Sequence, residues 1–403
     1  MLVGAAFIIA LGFGLISPIL PQYARSFEVS IFAASAAVSA FAFFRLLFAP
    51  VSGRLVDSVG YRRTYVTGLT IVAVSAILVG LSQSYWQLIA FRALGGIGST
   101  MFTVSAMGLI VRISPPDVRG RCSAAYGSAF LLGSVFGPVL GAALGQFGMR
   151  PPFFIYGAGL LVATTLVAVL LNDASLRHQP GETEPAPMTF ATAWRIPSYK
   201  AALLGGFANG WSNFGVRVAI VPLFAASLFS AAGGSTDQTS HYGSSNATAT
   251  AGLALTAFAI GNVIALQFSG KLSDSIGRKP VVVAGFAING LFTALLGFSS
   301  AAWVLLAVCV IAGFGAGMLN PSQQAAVADI IGGQRSGGKV LAAYQMAQDS
   351  GAILGPLAVG LIADQMGYTV GFVVCGAISA VALVGWLNTG GAQQDDKKIA
   401  VRA

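Results

Sequence analysis

Of the thirteen acidic residues in this 403-residue sequence, one, Asp349, stands where proton chemistry is possible inside an apolar medium. The other twelve fall in polar loops, tails or the ends of apolar runs. Asp349 lies about nine residues into the run 340–363, roughly 14 Å from its start at 1.5 Å per helical residue. A carboxyl so placed is a candidate to take a proton from one compartment and release it to another. A static ion pair with an arginine, serving only the fold, is the alternative. Gln345 and Gln348 share its helical face and suit either protonation state as hydrogen-bond partners.

A second group is built for recognition. Asn209, Asn213 and Arg217 recur at four-residue spacing and make one polar stripe on an otherwise apolar helix. Trp211 and Phe214 flank it, with rings suited to stacking on a flat ligand. Asn320 is assigned to the same substrate path. A stripe bonded only to neighbouring helices is the competing reading. Arg217 approaches Asp349 if their two helices adjoin. Arg45 and Arg92 also sit in apolar runs, where a charge is expensive and marks function by default. Snorkelling of Arg92 to the nearby interface is the bland reading.

Other chemistries are poorly served. The two histidines, His178 and His241, fall in loops assigned to opposite sides of a membrane, so no nucleophile–base arrangement forms. Cys122, Cys309 and Cys375 lie in apolar segments without metal spacing. Gly333 to Val340 nearly spells a phosphate-binding loop, but Val340 stands where a hydroxyl would hold magnesium and no soluble strand precedes it. These features argue against an enzyme or ATPase, and they indicate no metal and no cofactor.

The elements that must position Asp349 and the stripe follow from composition. Hydrophobic residues make up 56% of the chain and charged ones 9%, against about a quarter charged in ordinary soluble domains. Apolar runs near the roughly 20 residues that cross a bilayer occupy 2–23, 33–53, 64–83, 87–111, 122–146, 152–172, 201–228, 249–270, 280–299, 302–330, 340–363 and 368–389. We call these spans 1 to 12. The first lacks the basic start and small-residue cleavage site of a signal peptide and is read as a span. With both termini on one side, that side receives seventeen of the basic residues and the other only Arg25 and Arg150. The positive-inside rule then places the termini in the cytoplasm of a cell (inner) membrane protein. The net charge of +9 is thus a topology signal and asks for no nucleic acid. Residues 173–200 read as a polar linker, 229–248 as an external loop and 390–403 as a cytoplasmic tail.

The two halves repeat. Gly53-Arg-Leu-Val-Asp57-Ser-Val-Gly60-Tyr-Arg62-Arg63 recurs as Gly270-Lys-Leu-Ser-Asp274-Ser-Ile-Gly277-Arg278-Lys279 at an offset of 217. Gly96 and Gly98 recur as Gly313 and Gly315 at that offset, and Gly137-Pro138 as Gly355-Pro356 at 218. Span 1, from Phe13-Gly14 to Pro21, matches span 7, from Phe214-Gly215 to Pro222, at 201. The repeat partner of Arg92 is Cys309. A duplicated six-helix unit, 1–172 and 201–389, is the architecture of transporters with a midplane site between repeats.

The doubled loop after spans 2 and 8 resembles the most diagnostic signature of the major facilitator superfamily, and the whole chain fits that pattern. The resemblance implies an all-α fold of twelve spans in two pseudo-symmetric bundles. It implies that the loops lock a cytoplasmic gate, with Asp57 and Asp274 as gate residues. The glycines permit close packing and tight turning, and each aspartate can accept helix N-terminal amides. A mere tight basic turn is the alternative. Gly133-Ser-Val-Phe-Gly137-Pro138-Val-Leu-Gly141 in span 5 is similar to the family's antiporter signature, although such spacing also simply lets helices approach. Span 1 looks like that of twelve-helix drug–proton antiporters but lacks the acid that many proton-coupled relatives carry there. The expected function is proton-coupled efflux of small lipophilic compounds by alternating access, from a monomeric scaffold partnered by substrate, protons and bilayer. The alternatives are transport of an anionic, sugar-like or lipid solute, and a receptor on this fold that moves nothing.

Overall fold

The computed structural model describes residues 2–113, 119–170, 188–232, 245–331 and 338–390. Most of the linker, most of the external loop, the tail and the stretch resembling a phosphate loop lie outside the described residues, as do the side chains of Asp57 and Cys122. Every described element is helical, as expected where no water is present to satisfy an exposed backbone. In chain order the helices are α1 (Leu2–Ile16), α2 (Leu20–Arg25), α3 (Ile31–Val59), α4 (Tyr61–Leu81), α5 (Tyr85–Ile113), α6 (Arg119–Gly145) and α7 (Pro151–Leu170). There follow α8 (Phe190–Trp194), α9 (Pro197–Asn209), a π-helical turn (Gly210–Val216), α10 (Arg217–Ala219) and α11 (Val221–Ala232). The chain closes with α12 (Ser245–Ile276), α13 (Arg278–Leu295), α14 (Ala302–Ile331), α15 (Gly338–Met366) and α16 (Tyr368–Leu387).

Among the described residues, ten helices are long and apolar enough to cross a bilayer. An eleventh span is broken: Pro197–Ala219 and Val221–Leu228 meet at 41°. Pro222 explains the break, since it brings no N–H to the ladder and its ring crowds the preceding turn. The expected first span is interrupted as well. Its apolar helix stops at Ile16, Pro18 lies in the turn that follows and Pro21 in the first turn of α2, so that α1 alone is only 15 residues long. The chain is a multi-pass membrane protein.

Packing divides the chain into two units, Met1–Gly181 with Val221–Thr256, and Glu182–Ile220 with Ala257–Ala403. In the first unit α1 lies along α6, where Gly133, Gly137 and Gly141 form a groove for its backbone. A Cβ at Gly133 would stand 2.6 Å from the Leu11 nitrogen, and one at Gly137 2.6 Å from Gly14 Cα. In the second unit Gly351 and Gly355 of α15 receive α9 and the π turn in the same way, a Cβ at Gly351 falling 2.7 Å from the Trp211 nitrogen. The repeat reaches single contacts. Gly14 faces Pro138 and Gly215 faces Pro356, at 2.9 and 2.7 Å from their would-be Cβ atoms. Gly96 of α5 seats against the Phe41 carbonyl, and Gly313 of α14 against that of Phe258. Even the surface repeats: Trp86 and Trp303, 217 positions apart, are both exposed at the first turn of α5 and α14, where indole suits a membrane interface.

Candidate functional site

The stripe on the broken span is a buried chain of amides in the second unit. Asn209 Nδ2 donates to Asn320 Oδ1 at 2.8 Å, and Asn213 Nδ2 to Asn209 Oδ1 at 2.8 Å. Asn213 and Asn289 exchange hydrogen bonds, at 3.3 and 3.1 Å, and Asn289 Nδ2 also donates to the Ala312 carbonyl at 2.9 Å. Asn209, Asn213 and Asn289 are buried, while Asn320 is half-buried and forms the open end of the chain. Three helices, α9 with its π turn, α13 and α14, are thereby tied through side chains that could only be left unbonded at high cost. The sequence reading missed Asn289. Its signal was available, as the one amide in the run 280–299, but its partners lie 76 positions away.

The π turn sets what the stripe presents. Gly210 at its start packs on the backbone of Gln348 in α15, so close that no Cβ fits. Trp211 is buried against Gly355 of α15, whereas Phe214 is exposed. The two rings therefore do not flank a common ligand position as the sequence suggested, because the widened turn sends them to different faces.

Arg217 Nε donates to the Asn213 carbonyl at 2.8 Å, and its guanidinium lies 4.5 Å from the centroid of the Phe258 ring. Among the described residues it forms no ion pair. The expected approach to Asp349 is thus not made, although α9 and the π turn do adjoin α15. Asp349 itself is buried at 7% exposure, with Gln345 Nε2 donating to its Oδ1 at 3.3 Å. Gln348 is buried one residue earlier, while Gln345 is exposed. The carboxylate thus sits at the edge of the buried region, with an exposed amide between it and the surroundings.

In the first unit Arg92 is 6% exposed, stacked 4.5 Å from the Phe41 centroid, with no hydrogen-bond partner at Nε. It lines a small cavity with Phe13, Ile16, Phe41, Ser75 and Tyr156. Arg92 is therefore held inside the helix packing and does not snorkel. Arg45, read as buried, is only half-buried.

The two repeated loops show what their residue types do. Gly60 and Gly277 both adopt φ 94°, which an L side chain resists, and each opens the following helix. Gly53 and Gly270 are not packing glycines, since a Cβ at either meets nothing within 4 Å. Asp274 does not accept helix amides. Its carboxylate takes the guanidinium of Arg278, one turn on, and Arg278 Nε reaches Asp329 of α14 at 3.0 Å. The repeat-related residues Arg62 and Lys279 cap the C-terminal ends of α7 and α16: Arg62 Nη2 donates to the Ala168 carbonyl at 2.6 Å, and Lys279 Nζ to those of Leu387 and Thr389 at 2.9 and 2.5 Å. A cation at a helix C-terminus meets the negative end of its dipole. Arg63 is exposed.

These features define a helical membrane protein built from two like units, each with a buried polar core and a basic inter-helix loop. The chain belongs to the Major Facilitator Superfamily, whose family profile it matches over residues 2–234 and 203–400. It is similar to the Quinolone resistance protein NorA of Staphylococcus aureus (strain MRSA252), with 29% identity over 214 residues, 52% of this chain and 54% of the relative. It is also similar to the Multidrug resistance protein 2 of Bacillus subtilis (strain 168), with 30% identity over 182 residues, 44% and 46% of the two chains. The matched part spans about half the length of these relatives. Among solved structures, a bacterial homolog of the human lysosomal transporter Spinster in inward-facing forms shares the fold, occupied at TM-score 0.70 and 16% identity, unoccupied at 0.71 and 17%. These two cover 98% of this chain and 96% and 97% of the homolog.

Proposed function

We propose that the protein is a secondary transporter that exports small lipophilic compounds in exchange for protons, by alternating access between its two repeats. The observation that carries this reading is the burial of Asp349 midway along α15, where the Gln345 amide donates to its carboxylate. In this reading Asp349 takes up a proton on one side of the transport cycle and gives it up on the other. The similarity to two drug-resistance proteins supports the substrate class. Both termini and the central linker are assigned to the cytoplasm by the basic residues, and the bundles to 1–172 and 201–389. Cells carrying the protein should withstand lipophilic drugs and exclude lipophilic dyes, and both properties should vanish when an uncoupler collapses the proton gradient. Equal dye accumulation with and without the protein would sink the reading.

A second reading, transport of an anionic solute, is favoured by the buried guanidiniums of Arg92 and Arg217, neither of which has an ion pair among the described residues. Accumulation of one anion by proteoliposomes, with no dye exclusion by cells, would select it.

A further inference from the structure

Residues 188–200 lead into the broken span across one end of the second unit. Met188, Ala193, Ile196 and Tyr199 are buried in the same core as Tyr344 and Trp386. The Tyr199 hydroxyl donates to the Val340 carbonyl at 2.8 Å, which fastens the segment to the start of α15. The side chains between these anchors point outward. Phe190 and Trp194, one turn apart on α8, are 44% and 47% exposed, with ring centroids 5.5 Å apart. Lys200 Nζ lies 5.5 Å from the Trp194 ring. Arg195 and Lys200 are exposed, and so is Lys339, the neighbour of the residue that takes the Tyr199 hydrogen bond.

No acid occurs between positions 188 and 200. Asp274 and Asp329, on the adjoining helix ends of this unit, are both held by Arg278. Among the described residues none of the three cations, Arg195, Lys200 and Lys339, has an ion pair. Their depth follows from the two spans they border, which open at Pro197 and at Lys339. Trp194, Arg195, Lys200 and Lys339 thus all stand within one turn of an apolar span, at the level of the lipid headgroups. A merely solvated face would explain the cations but not an aromatic pair packed together and turned outward beside them, since exposed apolar patches mark contact surfaces. Indole and phenyl rings suit the boundary between acyl chains and headgroups, and guanidinium and ammonium suit a phosphodiester. We propose that Phe190, Trp194, Arg195, Lys200 and Lys339 form a binding site for an anionic phospholipid, the rings against its acyl chains and the cations on its headgroup. This goes beyond export, since lipid binding here requires neither a transported compound nor a proton.

Tryptophan quenching in bilayers tests it. The full chain is reconstituted in vesicles of one fixed phosphatidylcholine–phosphatidylglycerol composition, and brominated acyl chains are titrated onto one lipid or onto the other. The chain has five tryptophans, so the Trp194 signal is read as the difference between wild type and Trp194→Phe. Brominated phosphatidylglycerol should half-quench Trp194 at an about fivefold lower bromine fraction than brominated phosphatidylcholine, the gain from one cation engaged at an anionic leaflet. Each protein is its own reference between the two lipids, so changes in Trp194 brightness cancel. Arg195→Gln with Lys200→Gln and Lys339→Gln should abolish the preference while both lipids still quench Trp194, and Lys200→Arg should keep it. Should the triple variant not fold, Lys200→Gln alone should lower the preference. Added salt should weaken it in wild type. Equal quenching by the two lipids, or a preference that survives in the neutral variants, overturns the proposal. So does a Trp194 that neither lipid quenches, which would leave the surface to water or to an acidic protein. Dye exclusion does not enter the measurement, so the export reading stands or falls separately.

Discussion

Asn213 and Asn289 face each other as a reciprocal amide pair, each donating to the other's Oδ1, at 3.3 and 3.1 Å. The pair locks the broken span to α13 in the middle of the second unit. Asn213→Ala leaves the amides of Asn209 and Asn289 short of a partner, each costing about 1–3 kcal/mol when buried. We expect a lower melting temperature than for wild type, together with an altered substrate profile. The double variant Asn213→Leu with Asn289→Leu should be less damaging than the two single changes added together, because both polar groups then leave. Thermal unfolding of the four proteins measures the coupling. Additive shifts would mean that the pair is not made.

The glycine groove on α6 predicts a packing effect. A Cβ at Gly137 would fall 2.6 Å from Gly14 Cα, against backbone that has no rotamer to change. Gly137→Ala should therefore cost about 1–3 kcal/mol, the usual range for overpacking, and its repeat partner Gly355→Ala should behave alike. Gly53→Ala should be silent, since no atom lies within 4 Å of its Cβ. Melting curves of the three variants would show the ranking, and a stable Gly137→Ala would refute the close approach.

Much of this was legible in the sequence. The offset of 217 marked the loops, and glycines at four-residue spacing marked the groove, because each depends on local residue type and on repetition. Asp349 stood out because one acid in an apolar run has no ordinary place. What stayed hidden was which side chains meet. Asn289 was one amide among apolar neighbours until the fold brought Asn213 to it. Arg217 shares a face with Asn213 but turns to Phe258, because the π turn shifts the register that a regular helix would give. The break at Ile220 was foreshadowed by Pro222, yet a proline does not say whether a membrane helix kinks or stops.

If the repeated loops form a gate, as the family resemblance implies, their substitution has a uniform effect. Arg278 joins Asp274 to Asp329 at the exposed edge of the second unit. Surface ion pairs contribute at most about 1 kcal/mol to stability, so Asp274→Asn should barely move the melting temperature. Its effect belongs to the conformational equilibrium, which is shared by all substrates. Asp274→Asn and Asp57→Asn should slow transport of every substrate by a similar factor. Uptake assays with several dyes decide this, and a loss confined to one substrate would assign the aspartates to binding instead.

Asp349 carries the sharpest prediction. Its carboxylate is buried, takes a hydrogen bond from Gln345, and lies on a helix whose backbone contacts Gly210 through Gln348. Protonation would thus be felt at the π turn one residue away along α15. Asparagine keeps the shape and a hydrogen-bonding end but cannot change charge. Asp349→Asn should therefore bind substrate and support exchange of labelled for unlabelled substrate at wild-type rates. It should lose all transport against a gradient, and imposed pH differences should no longer drive accumulation in proteoliposomes. If instead binding and exchange fall together with gradient-driven transport, Asp349 is a structural or substrate-holding residue. If the variant still concentrates substrate when a pH difference is imposed, the proton travels by another group, and the glutamine–aspartate arrangement serves the packing of α15 alone.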